Sequence, residues 1–143
     1  MPANEVIPVY EVADRITGEA TANLTGKRFV VINATTRTAG GTKGLAPDSA
    51  PSAVNYKISV PAAGAKCFGV LMWDVLLGQK APVIREGIVP VEVGGTPVVA
   101  GTQVEVDSVG RVIPWGATIA TQPVGYCCAG AAAAGTAEVA IYK

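Results

Sequence analysis

The side chains of this 143-residue chain that raise the question of covalent chemistry include Cys67, Cys127 and Cys128 and the scattered carboxylates Asp74, Glu86, Glu92, Glu105 and Asp107. Histidine is absent, so neither a Ser-His-Asp triad nor a Cys-His pair can be built within the chain. Adjacent cysteines bridge each other only under strain, and a zinc site needs more ligands at suitable spacing. The three cysteines therefore read as reduced, buried thiols. A glycosidase-type acid pair could hide among the carboxylates. Most of them alternate with valines, however, which puts them on the solvated face of strands. "GGTKG" (40–44) lacks P-loop spacing, and no GxGxxG stands at a strand-to-helix junction. "NLT" (23–25) matches a glycosylation acceptor but reads as chance in a chain that opens without a secretory signal. The chain reads as no enzyme, with no catalytic residue, no cofactor and no metal site.

The charge balance narrows the partners. Eleven Lys and Arg balance eleven Asp and Glu, and half the residues are hydrophobic. A nucleic-acid binder shows a basic excess or stripe, so no nucleic acid is expected. A membrane span would need ~18 uninterrupted apolar residues, so no membrane is expected. "MPANEVIPVY" has neither a basic start nor an apolar core of a signal peptide, which implies synthesis in a cytoplasm. Low net charge removes one barrier to self-association.

The elements that must position these groups are strands. Seventeen glycines and ten prolines punctuate a chain rich in Val, Ile and Thr, the pattern of many short strands and turns. Residues 1–22 read as an N-terminal arm, with Val6, Ile7, Pro8, Val9 and Tyr10 its apolar part. They form either an edge strand of the domain itself or an arm docked on another subunit. Residues 23–143 read as a single β-rich domain. "GKRFVVIN" (26–33) is a strand, and 34–53 a long loop. In 54–61, Val54, Tyr56, Ile58 and Val60 share one face. "KCFGVLMWDVLL" (66–77) reads as a strand kinked at Gly69, with Trp73 in the core. Within 82–93, Val89, Val91 and Val93 share a face, and Pro90 places the strand at an edge or bulge. Strand 102–106 points Val104 and Val106 inward, "DSVG" (107–110) turns, and "RVIPW" returns. Residues 122–128 and 137–143 are further strands around a small-residue loop. Trp115, at a strand end, is either an interface anchor or packing over the barrel end. The expected class is all-β, a small β-barrel or sandwich with an extended N-terminal arm.

The ordered string "VIREGIVPVEVGGTPVVAGTQVEVDSVGRVIP" resembles the capsid decoration, or cement, proteins of tailed bacteriophages. The resemblance rests on "REGIVPVEV", then "VVAGTQVEVDSVGRV" with Asp107, Gly110 and Arg111. Pro123-Val124-Gly125, an alanine/glycine-rich stretch and "AEVAIYK" follow in the family's order. The opening "ANEVIPVYEVADRITGEATANLTGKRFV" is similar to decoration proteins of actinobacteriophages. The resemblance implies a structural virion protein on the outer capsid surface, a homotrimer at local three-fold positions. Its partners would be the phage major capsid protein and itself, and it would stabilise the shell. On this reading the arm Val6–Tyr10 faces the capsid, Arg15 and Arg28 meet acidic capsid loops, and Trp115 joins the interface. A β-rich tail or fibre module binding host glycans is the rival reading, with Trp115 its candidate aromatic.

Overall fold

The structure, a computed structural model, describes residues 15–33 and 56–142. All regular elements among them are strands: β1 (Arg15–Ala20), β2 (Phe29–Ile32), β3 (Tyr56–Ser59), β4 (Gly69–Leu71), β5 (Lys80–Ile84), β6 (Ile88–Glu92), β7 (Gln103–Val106), β8 (Val112–Pro114), β9 (Gly125–Ala129) and β10 (Thr136–Ile141). The expected all-β class is what the chain adopts. Strands β1-β3-β2-β4-β5 close into a barrel, in which β1 pairs with β3 in parallel and with β5 antiparallel. The other five strands form a second sheet in the order β6-β10-β9-β7-β8.

The segment read as an arm divides here. Arg15–Ala20 is a barrel strand bonded on both sides. The apolar stretch Val6–Tyr10 and the loop 34–53 lie outside the described residues.

Two cores explain the sequence pattern. Ala20, Val30, Ile58, Leu71, Ala81 and Val83 fill the barrel. Phe29, Val70 and Ile84 point the other way, into a larger core with the valines of the second sheet. β2, β4 and β5 are therefore buried on both faces, which is why they read as unbroken apolar runs instead of alternating ones. Trp73 is half-buried and packs against both cores.

The run 66–77 is not one strand. It pairs as β4 for three residues, and its chain then turns; Val75 rejoins the fold through a bridge to Leu24. Gly69 allows the pairing, because a Cβ there would lie 2.4 Å from the Ile84 carbonyl oxygen. The run 82–93 also divides. β5 ends in the barrel at Ile84, β6 begins in the second sheet at Ile88, and Gly87 (φ 111°) makes the crossing between them.

Val89 and Val91 of β6, and Val93 directly after it, are fully buried as expected. β6 is an edge strand, and its outward N–H at Glu92 donates to the Lys27 carbonyl at 2.8 Å. By the two-residue period the Pro90 nitrogen faces that same outer side, where its missing N–H breaks no ladder bond. At the other edge, the Gly94 N–H donates to the Val112 carbonyl of β8 at 2.8 Å. Both edges of the second sheet are thus engaged at these points, and the closed barrel has none, which limits where strand addition could start.

Two polar clamps hold the parts. The Arg28 guanidinium donates twice to the Glu92 carboxylate (2.7 and 3.1 Å), joining β6 to the segment that enters β2. In the turn 107–110, Asp107 Oδ1 accepts the N–H groups of Val109 and Arg111 at 3.0 Å, and Oδ2 accepts Arg111 Nε at 2.8 Å. Asp107→Ala removes three accepted hydrogen bonds and leaves the two Arg111 donors partly buried. It should cost about 2 kcal/mol, read as a lower urea midpoint at unchanged slope.

Candidate docking surface

The side chains that the fold leaves outside, where a different pattern was expected, gather at one end of the barrel. β3 ends at Ser59, so Val60 is 43% exposed instead of sharing the buried face of Ile58. Leu76 and Leu77 are 58% and 65% exposed, because the chain between β4 and β5 turns at Gly78 (φ 80°). Their turn is held to β1 by the Gly78 N–H donating to the Ala20 carbonyl at 2.9 Å, and to the segment after β1 by the Leu77 N–H donating to Asn23 Oδ1 at 3.0 Å.

Two clefts sit here, and Asn23, Leu24 and Thr25 form a wall of each. One, of about 90 Å³, continues to Val60 and Val109; the other, of about 270 Å³, continues to Asp74 and Leu76. The charges on the rim are engaged inside the chain. Asp74 Oδ1 accepts the Gly26 N–H at 2.8 Å, and Arg28 is clamped by Glu92. What this end offers outward is a set of apolar side chains around shallow clefts, a shape that suits another protein's surface. The sequence signal was "LLG": two leucines before a glycine that has to turn.

The residues singled out from sequence are dispersed. Arg15, at the start of β1, is exposed and lies at the opposite end of the barrel from Leu76. Arg28 lines the smaller cleft but is committed to Glu92. Trp115 is half-buried at the end of β8, and its Nε1 is enclosed without a hydrogen-bond partner among the described residues. Glu105 Oε2 accepts the Gly116 N–H at 3.2 Å. Among the described residues no three of Cys, Asp and Glu gather as metal ligands would. No helix among them is long and apolar enough to cross a membrane.

The cysteines were expected to be buried thiols. Cys127 is buried and Cys67 half-buried, but Cys128 is exposed, since successive residues of β9 face opposite sides. Burial pushes the Cys67 thiol from 9.0 up to about 12. Burial, then the neighbouring Cys128, raises Cys127. Thiolate is the reactive form, so at pH 8 iodoacetamide should modify Cys128 quickly and the other two only after denaturation. Mass spectrometry would show one adduct on the folded chain and three on the unfolded one. A thiol raised by folding favours the fold while protonated. Its contribution is whole below pH 9 and is lost as pH climbs towards 12.

With this architecture in view, a solved structure becomes comparable: the N base of the head fibre protein gp8.5 of bacteriophage phi29. It superposes with a TM-score of 0.63 at 16% identity, covering 92% of this chain and 95% of that one. This chain shares the fold of a phage head-fibre base. The agreement spans nearly the whole of both chains, so barrel and second sheet belong to one shared architecture. At this identity the head-fibre base speaks for the fold alone. No family model matches the chain, and no curated protein does.

Proposed function

We propose that the protein is a non-catalytic structural component of a phage virion that binds the exterior of the capsid and stabilises the shell. It would act as a homotrimer at local three-fold positions, with the major capsid protein as partner. The observation that carries this reading is the fold shared with a phage head-fibre base over 92% of the chain. The decoration-protein resemblance of residues 83–114 supports it independently. Covered sheet edges and an internally neutralised rim suit a part that joins others through side-chain surfaces, with many modest contacts adding up over a closed shell.

The contact assigned to the shell is the end carrying Leu76, Leu77, Val60 and Val109. Mixing purified protein with undecorated capsids and measuring co-sedimentation tests the reading; absence of saturable binding would sink it. Deleting residues 1–10 is the companion measurement. A capsid-facing arm at Val6–Tyr10 requires that deletion to weaken binding, whereas the Leu76–Leu77 contact requires binding to survive it. The glycan-binding alternative leaned on Trp115, which is half-buried with its N–H enclosed.

A further inference from the structure

The chain keeps its charges out of two stretches: residues 93–104 and 112–137 hold no Asp, Glu, Lys or Arg. Their exposed parts form two surfaces. The first is the loop 116–121 between β8 and β9, which carries Ile119. Ile119 is 102% exposed, so nothing in the chain shields it. The loop is nonetheless held. The Thr118 and Thr121 hydroxyls bond to each other at 3.0 Å, and the Gln122 N–H donates to the Gly64 carbonyl at 2.9 Å. Thr121 packs so closely on Gly64 that a Cβ there would lie 2.4 Å from its methyl group. The second surface is one end of the second sheet, where Val99 is 65% exposed and Ala132, Ala133 and Ala134 are exposed too. Val98 and Ala131 exchange two backbone hydrogen bonds at 3.1 Å, and the Ala134 N–H donates to the Gly94 carbonyl at 3.2 Å, so this end is fixed as well. The two surfaces attach at opposite ends of β7. The Thr102 hydroxyl donates to the Val99 carbonyl just before the strand, and the Gly64 N–H donates to the Val106 carbonyl at its close.

We propose that Ile119 is a knob that docks on the Val99 end of a second copy of this chain, head to tail. Three observations lead there. First, a wholly exposed isoleucine on a held loop gains its full burial from a partner, and little is left to order when it docks. Second, each surface holds an alanine in the left-handed region, Ala117 (φ 53°) and Ala134 (φ 61°). Such strain persists where the surrounding structure fixes a shape for use. Third, an apolar knob seated among charges would strip water from them at a cost. An uncharged receiver avoids that cost, and this chain presents one. Knob and receiver are different surfaces, so the contact repeats from copy to copy and can close into a ring. The inference rests on the oligomeric part of the reading above and not on attachment to a shell.

Sedimentation equilibrium of the purified full-length protein, without shells, tests it. The wild type should associate, and Ile119→Asp and Val99→Asp should each weaken association by about 10- to 100-fold per contact. Both side chains are exposed, so the urea midpoints should match that of the parent. A mixture of the two variants is diagnostic. The intact knob of one meets the intact end of the other, so unlike chains should pair through a single contact although neither variant can close a ring. With p-benzoylphenylalanine in place of Ile119, irradiation should join two chains, with attachment on the peptide holding Val99 or Ala132–Ala134. A wild type that stays monomeric, an Ile119→Asp chain that associates as the parent does, or a mixture that does not pair overturns the proposal. So does attachment within one chain or away from the Val99 end. Co-sedimentation with shells reads the capsid half of the functional reading separately, so a failure there with self-association intact leaves this contact standing.

Discussion

Gly110→Ala is expected to destabilise the protein by about 3–5 kcal/mol. Gly110 sits at φ 86°, a backbone conformation that costs an L-residue about 1–3 kcal/mol. A Cβ there would also stand 2.3 Å from the Phe29 carbonyl oxygen, in contact with backbone that cannot swing aside. Phe29 is tied from its own side, since its N–H donates to the Gly110 carbonyl at 2.8 Å and its ring lies in the shared core. Moving the turn moves Phe29, and overpacking of this kind adds about 1–3 kcal/mol. Urea unfolding measures the loss. A variant within about 1 kcal/mol of the parent would mean that the 107–110 turn does not seat on β2 as described.

Leu76→Ser combined with Leu77→Ser is expected to weaken binding to undecorated shells by about 30- to 1000-fold per copy. Each leucine is more than half exposed in the free protein. Burying that remaining surface against a partner gains about 1–2 kcal/mol per side chain, and each 1.4 kcal/mol is tenfold in affinity. Stability should stay within about 0.5 kcal/mol, because neither side chain belongs to a core. Co-sedimentation over a protein concentration series measures the binding, and urea unfolding checks the fold. Unchanged binding with an intact fold would remove the Leu76–Leu77 end from the shell contact.

Much of the second sheet was legible because its strands have one face in and one face out. Val104 and Val106 are buried while Gln103 and Glu105 are only half-buried, and the alternation in the text is the alternation in space. The "DSVG" turn was legible from Asp107 and Gly110, each needed for a distinct local reason. The barrel was harder. Its strands β2, β4 and β5 are apolar on both faces, so period two is erased, and 66–77 looked like one strand. The divide of 82–93 at Gly87 and the exposure of Leu76 and Leu77 both depend on which strand lies alongside. A local pattern does not contain that neighbour.

By itself, then, the order of residues determined the all-β class, the alternating valine faces, the turns and the absence of any histidine-based chemistry, because these follow from local sterics and side-chain type. Only the tertiary structure decided that β1 closes a barrel by pairing in parallel with β3, that Arg28 is claimed by Glu92, and that two leucines from an apolar run face outward. Those outcomes rest on contacts between residues far apart in the chain, and a side chain's exposure is settled by what packs against it, not by its own hydrophobicity.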